Sequence, residues 1–514
     1  MILKILRTRL TKLSSNIISL PFTKSDSSNC SSEAKALPIV NLQANYHREL
    51  FFVLIIVGIG LRAFHYLRQP AVWFDEAALI LNILQQSLEG LAHSLTHHQA
   101  APPFFLWLEK CCLWIFGEST LSLRLIPFLA SVLVFLLFCR IASKLLDKTS
   151  SLWAIALIAC SDHLLWHTCE VKPYTIDTLV ATLSIWLYLK LIDRSLFRQS
   201  MVWFLIWPIA IWLSYPSCFI CSGILLVLAW NILALRENRS KRNIFGLGLV
   251  TLGLAVSFYL LLTGPIHGQK DLELDRYWDK CFPNWSNIWT VPPWAFLSTL
   301  EMFRYLHYPL GATLIPFALV GIYRFWRSQK PLTIVLLCPW LTAFFASLIR
   351  NYPYGGIRLL VFLTPAATLF IAEGIAPIFS WCRQKSKGFF ILALFCLCFP
   401  LGYTGYRLVA IWPRYACDDI SNWVLPQLKE GDRILINHWE YEYYFRGQPW
   451  ENFNPPIVPI FPPSKRERVW LVINANNQER AIFLQLLKPK WQIIDEFQID
   501  EASATLLQFT PDSK

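Results

Sequence analysis

Apolar runs of membrane-spanning length recur along this chain, near 50–66, 121–141, 150–167, 174–192, 201–214, 216–235, 245–263, 309–325, 331–349, 357–380 and 389–411. A helix crossing a hydrocarbon core of roughly 30 Å needs about 20 such residues. With 55% of its 514 residues hydrophobic and 16% charged, and with 23 Trp and 36 Phe, the chain carries more large apolar side chains than one soluble core can hide. The expected fold is therefore mainly α: a polytopic membrane protein of about eleven transmembrane helices. The run at 201–214 is short, and Pro208 and Pro216 predict a kink or break there.

Orientation follows from the basic residues. Arg140, Lys144 and Lys148 separate two runs, as do Lys190, Arg194 and Arg198, then Arg236, Arg239, Lys241 and Arg242. Arg324, Arg327 and Lys330, and later Arg383, Lys385 and Lys387, do the same. The alternate connections carry little beyond Lys172, Arg350 and Arg358 at their edges. Short basic loops stay cytoplasmic, so these alternates lie outside. The net charge of +12 is then mostly topogenic, and no nucleic-acid partner is expected. The apolar stretch 102–116 has Glu109 and Lys110 in its middle. A helix lying along the outer surface keeps every basic loop on one side and avoids burying a charge, which costs about 2.5–3.5 kcal/mol.

Three divisions follow: a tail at 1–48, a membrane domain at 49–411 with external loops at 67–120 and 264–308, and an exoplasmic domain at 412–514. The basic, Ser-rich tail shows no cleavable-signal pattern and reads as cytoplasmic, either on the membrane surface or disordered. The loop at 264–308 is dense in charge and aromatics, from Lys270, Asp271, Glu273, Asp275 and Arg276 to Trp278, Trp285 and Trp289. Its rings are expected to cover a cavity mouth. Beyond 411, the runs 432–437 and 469–473 read as buried strands, 478–487 as a helix and 504–509 as a closing strand, giving a small α/β domain. Most cysteines sit in apolar runs and no zinc spacing is visible; Cys281 and Cys417 lie outside the runs and are free to pair.

The residues with most chemistry follow the first run: Trp73-Phe74-Asp75-Glu76. Trp and Phe favour a membrane edge, and adjacent carboxylates in a low dielectric repel, so a cation is expected beside them. A solvated turn capping the next helix is the plainer reading. The topology gathers Asp75, Glu76, His93, His97, His98, Glu170, Lys172, Asp177, Lys270, Tyr352, Arg350 and Arg358 on the outer side, where ionisable groups face a cavity or one another. Carboxylates beside Lys172 and Arg358 suit a site that binds a phosphorylated ligand and activates a hydroxyl or amine. The histidines also read as residues of a wet loop, and Glu170-Val171-Lys172-Pro173-Tyr174 as a plain helix start.

In order and sidedness, Trp73-Phe74-Asp75-Glu76-Ala77, Ala101-Pro102-Pro103-Phe104, Leu123-Arg124-Leu125, Glu170-Val171-Lys172-Pro173-Tyr174 and Tyr352 to Arg358 resemble the GT-C membrane glycosyltransferases. The likeness, over roughly 50–410, is to bacterial relatives of protein O-mannosyltransferases and of the lipid A aminoarabinose transferase. It implies an enzyme of the bacterial inner (plasma) membrane that moves a sugar from a polyprenyl-phosphate donor to an outer-side acceptor, whether lipid, glycan or protein. Asp75 would be the general base, with Glu76 supporting it or helping Asp75 hold a divalent cation. Relatives often have His or Lys directly before Pro-Pro, whereas this chain has Ala100-Ala101. His97 or His98 would then replace it, or Lys172 and Arg358 would meet the phosphate, with Glu170 and Tyr352 completing the substrate site. The rival reading is a transporter or lipid flippase with an external ligand-binding domain. Transporters place charges near the midplane and often show repeats, neither of which is seen here.

Overall fold

The computed structural model describes residues 37–269, 277–453, 468–487 and 491–509. The tail residues 1–36 and the loop residues Lys270, Asp271, Glu273, Asp275 and Arg276 lie outside them. Contacts divide the chain at residue 50, and everything from 51 onward forms one compact unit.

That unit is mostly helical. Seven described helices are long and apolar enough to cross a membrane, or up to eight if the bent pair Ile288–Leu306 and Gly311–Ser328 is one span. The protein is an integral membrane protein. Two further apolar runs form shorter helices, Lys148–Ala159 and Ser217–Leu233, and Tyr174–Leu191 has 18 residues but is not among the seven, so length and composition do not by themselves give the count of eleven.

Two details of the bundle matter for the site. The helices Ile315–Ser328 and Thr364–Lys385 cross at glycines, where a Cβ at Gly321 would strike the Phe370 carbonyl and one at Gly374 the Phe317 carbonyl. That close crossing anchors the Arg358–Leu363 turn, whose first residue reaches the site. The run at 150–167 is broken between Lys148–Ala159 and Asp162–Thr168. Carbonyls freed by the break need donors in an apolar surround. Fully buried Arg62 supplies them, at 3.1 Å to Ile158 O and 3.4 Å to Ala159 O, while Thr404 Oγ1 donates to Cys160 O at 2.8 Å. Below the break, Asp162 accepts from Arg407 Nε at 2.9 Å and Trp412 Nε1 at 3.2 Å. The break thus delivers the 169–173 turn as a fixed ledge.

The helix Pro103–Phe116 buries Phe105, Leu106, Glu109 and Cys112 and exposes Trp114, Ile115 and Phe116. Its two charges are handled separately. Glu109 is fully buried without a partner for either oxygen, and burial pushes its carboxyl well above the usual range, which favours the neutral form. Lys110 Nζ donates to Ile83 O at 2.7 Å and Leu84 O at 3.1 Å, capping the last turn of the helix Phe74–Gln85.

In the external loop, short helices do form at Asp279–Cys281 and Ile288–Thr290. Covering rings do not: Trp285 and Trp289 are 51% and 83% exposed, and only Trp278 turns inward, toward Arg358. Trp285 Nε1 is used instead on Leu348 O, 2.7 Å away. Cys281 and Cys417 are free thiols and do not pair.

The C-terminal residues form a five-stranded sheet, with β1 Arg433–Ile436, β2 Trp450–Asn452, β3 Arg468–Asn474, β4 Trp491–Ile499 and β5 Ala502–Phe509 in the order β2-β1-β3-β5-β4. β1 is parallel to β2 and β3, and β5 is antiparallel to β3 and β4. β3 reads as a continuous apolar run because both its faces are covered. Trp470 and Val472 meet Cys417, Ile420 and Val424, whereas Val469, Leu471 and Ile473 meet Phe483 and Leu484.

Candidate functional site

Asp75 and Glu76 lie in the first turn of the helix Phe74–Gln85, where the unpaired amides and the helix dipole favour negative charge. The two then diverge. Asp75 Oδ2 is 3.1 Å from Lys172 Nζ and 3.0 Å from Arg358 Nη2, and Oδ1 accepts from Gln99 Nε2 at 3.3 Å. Neither cation is aligned as a true hydrogen-bond donor to Oδ2, so the attraction is one of charge at contact distance. Burial alone would raise the Asp75 carboxyl, but Arg358 and then Lys172 outweigh it and hold the carboxyl below the usual range. Burial likewise lowers the Lys172 ammonium, which Asp75 opposes and Arg358 reinforces.

Glu76 is fully buried in a rigid fork. Arg124 Nε and Nη2 donate to its two oxygens, both at 2.7 Å, Val171 N donates at 3.0 Å, and Arg414 Nη1 lies 3.3 Å away. The pairing ties the Asp75 helix to the ledge and to the C-terminal residues, and leaves Glu76 no free lone pair aimed at Asp75's partners. Asp75 and Glu76 are committed to different cations, and among the described residues no three His, Cys, Asp or Glu side chains are grouped to hold an ion.

Glu170 is fully buried, taking Trp73 Nε1 at 2.8 Å on one oxygen and His167 Nδ1 at 2.6 Å on the other. Burial opposes its charge, but the His167 bond prevails and its carboxyl is lowered. Glu170 thus orients Trp73 and His167, not the Lys172 side chain. His167 in turn contacts Tyr305 OH at 3.0 Å. Arg358 lies over the rings of Trp73, Trp278 and Tyr174 at 5.5, 5.6 and 5.9 Å, an aromatic collar that holds a cation while leaving its Nε without a partner.

Tyr352 does not reach Asp75. Its hydroxyl donates to Leu359 O at 2.8 Å and so braces the start of the Arg358 turn. His97 and His98 turn toward the C-terminal helix Trp439–Tyr444, with His97 Nε2 3.5 Å from Glu442 Oε2 and both imidazoles beside Trp439. Burial lowers His97 and raises Glu442, so neither favours its charged form there. The residue that does enter from this loop is Gln99, whose Oε1 accepts from Lys172 Nζ at 2.6 Å.

The C-terminal residues hold the backbone around Asp75 from outside. Trp439 Nε1 donates to Phe74 O at 2.9 Å and its ring stacks on Phe74, Tyr444 OH accepts from Val72 N at 2.8 Å, and Arg414 bonds Ala71 O. Sequence reading placed Asp75, Lys172 and Arg358 on one side of the membrane, and the structure brings them into contact. It missed Gln99, His167, Arg414 and Trp439. A polar Gln at the end of a His-rich loop, two residues before Ala101-Pro102-Pro103, was the available signal for the first.

A helical membrane body, a carboxylate at the head of the helix after the first span, and a small sheet domain packed against it make up this fold. Residues 100–261, under half of the chain, match the family described as dolichyl-phosphate-mannose-protein mannosyltransferase. In structure the chain is similar to ArnT from Cupriavidus metallidurans in the apo state, with a TM-score of 0.51, 11% identity, and 92% of this chain and 98% of that one covered. The same protein bound to undecaprenyl phosphate gives a TM-score of 0.50 at the same identity and coverage. No curated protein matches in sequence.

Proposed function

We propose that the protein transfers a sugar from a polyprenyl-phosphate donor to an acceptor on the outer side of the membrane, with its C-terminal domain exoplasmic. The observation that carries this reading is the loosely held triad of Asp75, Lys172 and Arg358 at the head of a helix following the first span. Two cations at contact distance from one carboxylate are well placed to exchange part of that contact for a phosphate. Arg358 brings a planar donor set and an unpartnered Nε, and Lys172 a point charge. Both would stabilise the charge that builds on the departing polyprenyl phosphate.

Relieved of its cations by the donor phosphate, Asp75 is freer to accept a proton from the attacking hydroxyl or amine. The balance is simple. The acceptor oxygen or nitrogen bonds the anomeric carbon, the bond from that carbon to phosphate oxygen breaks, and the acceptor proton goes to Asp75 Oδ. The neighbouring fold that binds undecaprenyl phosphate supports a lipid donor. No step here runs through a divalent cation, so a chelator is expected to leave transfer unchanged.

The test is lipid binding. Polyprenyl phosphate added to the purified full-length protein should bind, and Lys172→Gln with Arg358→Gln should abolish it in a protein that still folds. Equal binding by the double variant would sink the assignment of the phosphate site.

A further inference from the structure

The bundle carries a second polar site at the end remote from Asp75. The helix Tyr174–Leu191 starts with Tyr174 beside the Arg358 guanidinium and runs 18 residues, a rise of about 27 Å, close to the thickness of a bilayer core. At its far end opens a recess of about 460 Å³ lined by Tyr188, Arg194, Ser195, Gln199, Asn231 and Asn243. Its walls are set by side-chain amides. Gln199 Nε2 donates to Arg194 O at 2.9 Å, and Asn243 Nδ2 to Asn238 O at 2.8 Å. Two groups in it are left over, since neither the Arg194 guanidinium nor the Asn231 amide has a hydrogen bond or ion pair among the described residues.

We propose that this recess binds the phosphate headgroup of an anionic glycerophospholipid. Arg198, Arg236, Arg239 and Lys241 are exposed around it, opposed only by Asp193 and Glu237 in these two loops, so the rim is cationic. Topogenic charge accounts for basic loops, but it does not require a walled recess with one guanidinium and one amide to spare. The phosphate sits with Arg194, and headgroup hydroxyls with Asn231, Ser195 and Asn243. Exposed Ile192, Leu226 and Trp230 on the bordering elements offer an apolar track for the acyl chains. Basic pockets between membrane helices hold anionic headgroups by this combination. A free phosphate shares the headgroup's chemistry but has no use for the track.

Native mass spectrometry of the full-length protein in mild detergent tests this, with phosphatidylglycerol and phosphatidylcholine of the same acyl chains as probes. Wild type should retain phosphatidylglycerol and not phosphatidylcholine, and millimolar inorganic phosphate should not displace it. Arg194→Gln, an exposed and fold-neutral change, should weaken retention about fivefold. Adding Asn231→Leu should weaken it further, and Arg327→Gln in another basic loop should change nothing. Equal retention by the Arg194 variant, equal retention of phosphatidylcholine, or displacement by inorganic phosphate would each overturn the proposal.

Discussion

Asp75 shares its carboxylate among Lys172, Arg358 and Gln99 at 3.0 to 3.3 Å, whereas Glu76, one residue on, takes a two-pronged grip from Arg124 at 2.7 Å. Both are buried and both begin the same helix. What separates them is how each is held. The Glu76 pair is a fork of paired donors that also receives a backbone amide, so it holds three stretches of chain together. The Asp75 contacts are single-point contacts from three separate groups, so a competing anion can enter among them. Adjacent acids in one turn thus divide into one locked by its partners and one to which the proposed reaction assigns the proton.

The comparison breaks first at its structural half. Arg124→Ala leaves the buried Glu76 carboxylate with only Arg414 Nη1 and the Val171 amide, and breaking a buried pair in this way costs about 3–5 kcal/mol. The expected result is loss of folded protein in a size-exclusion and thermal-unfolding assay. Normal yield and melting would show that the fork is dispensable. Arg358→Ala comes next. Its side chain is partly exposed and its collar aromatic, so the protein should fold while KM for the lipid donor rises about 10–100-fold, the worth of a charge-assisted contact.

A pH profile sharpens the reactive half. With both cations present, Asp75 ionises below the ordinary carboxylate range, so kcat/KM should hold through neutral pH and fall only as pH drops through that lowered value. Lys172→Gln removes one cation, and the acid limb should then move to higher pH. A limb that stays put, or moves down, would mean that another group sets it. The smallest effect belongs to Trp439→Phe, which keeps the stack on Phe74 and loses one hydrogen bond to its carbonyl. That is worth about 0.5–1.5 kcal/mol and should appear as a few-fold lower kcat with donor KM unchanged. A change in KM alone would mean that the C-terminal residues act on binding and not on the Asp75 backbone.

How far the sequence could carry this account differs by residue. Asp75, Lys172 and Arg358 were legible because the positive-inside reading sorts charge by side and leaves few basic residues in the short alternate connections. The fork around Glu76 was not legible because its partner, Arg124, sits 48 residues away beside an apolar stretch, and only packing reveals it. Gln99 is neutral and carries no topological weight, so nothing in composition lifts it above His97 and His98. Those two were set at the phosphate as replacements for the His or Lys that relatives carry before Pro-Pro, but the structure turns them toward Trp439 and Glu442. In the sheet, β1 and β3 announced themselves by short apolar runs. β4 did not, since Asp495 and Glu496 interrupt it at a register shift on the sheet edge.

The most direct measurement is single-turnover transfer by Asp75→Asn, with bound donor quantified in the same sample. The amide keeps the shape of the side chain, and removing the negative charge leaves Lys172 and Arg358 free for phosphate. Donor binding should therefore be retained or tighter, while transfer falls about 10²–10⁴-fold. Transfer at the wild-type rate with donor bound would contradict the assignment of Asp75 as the base.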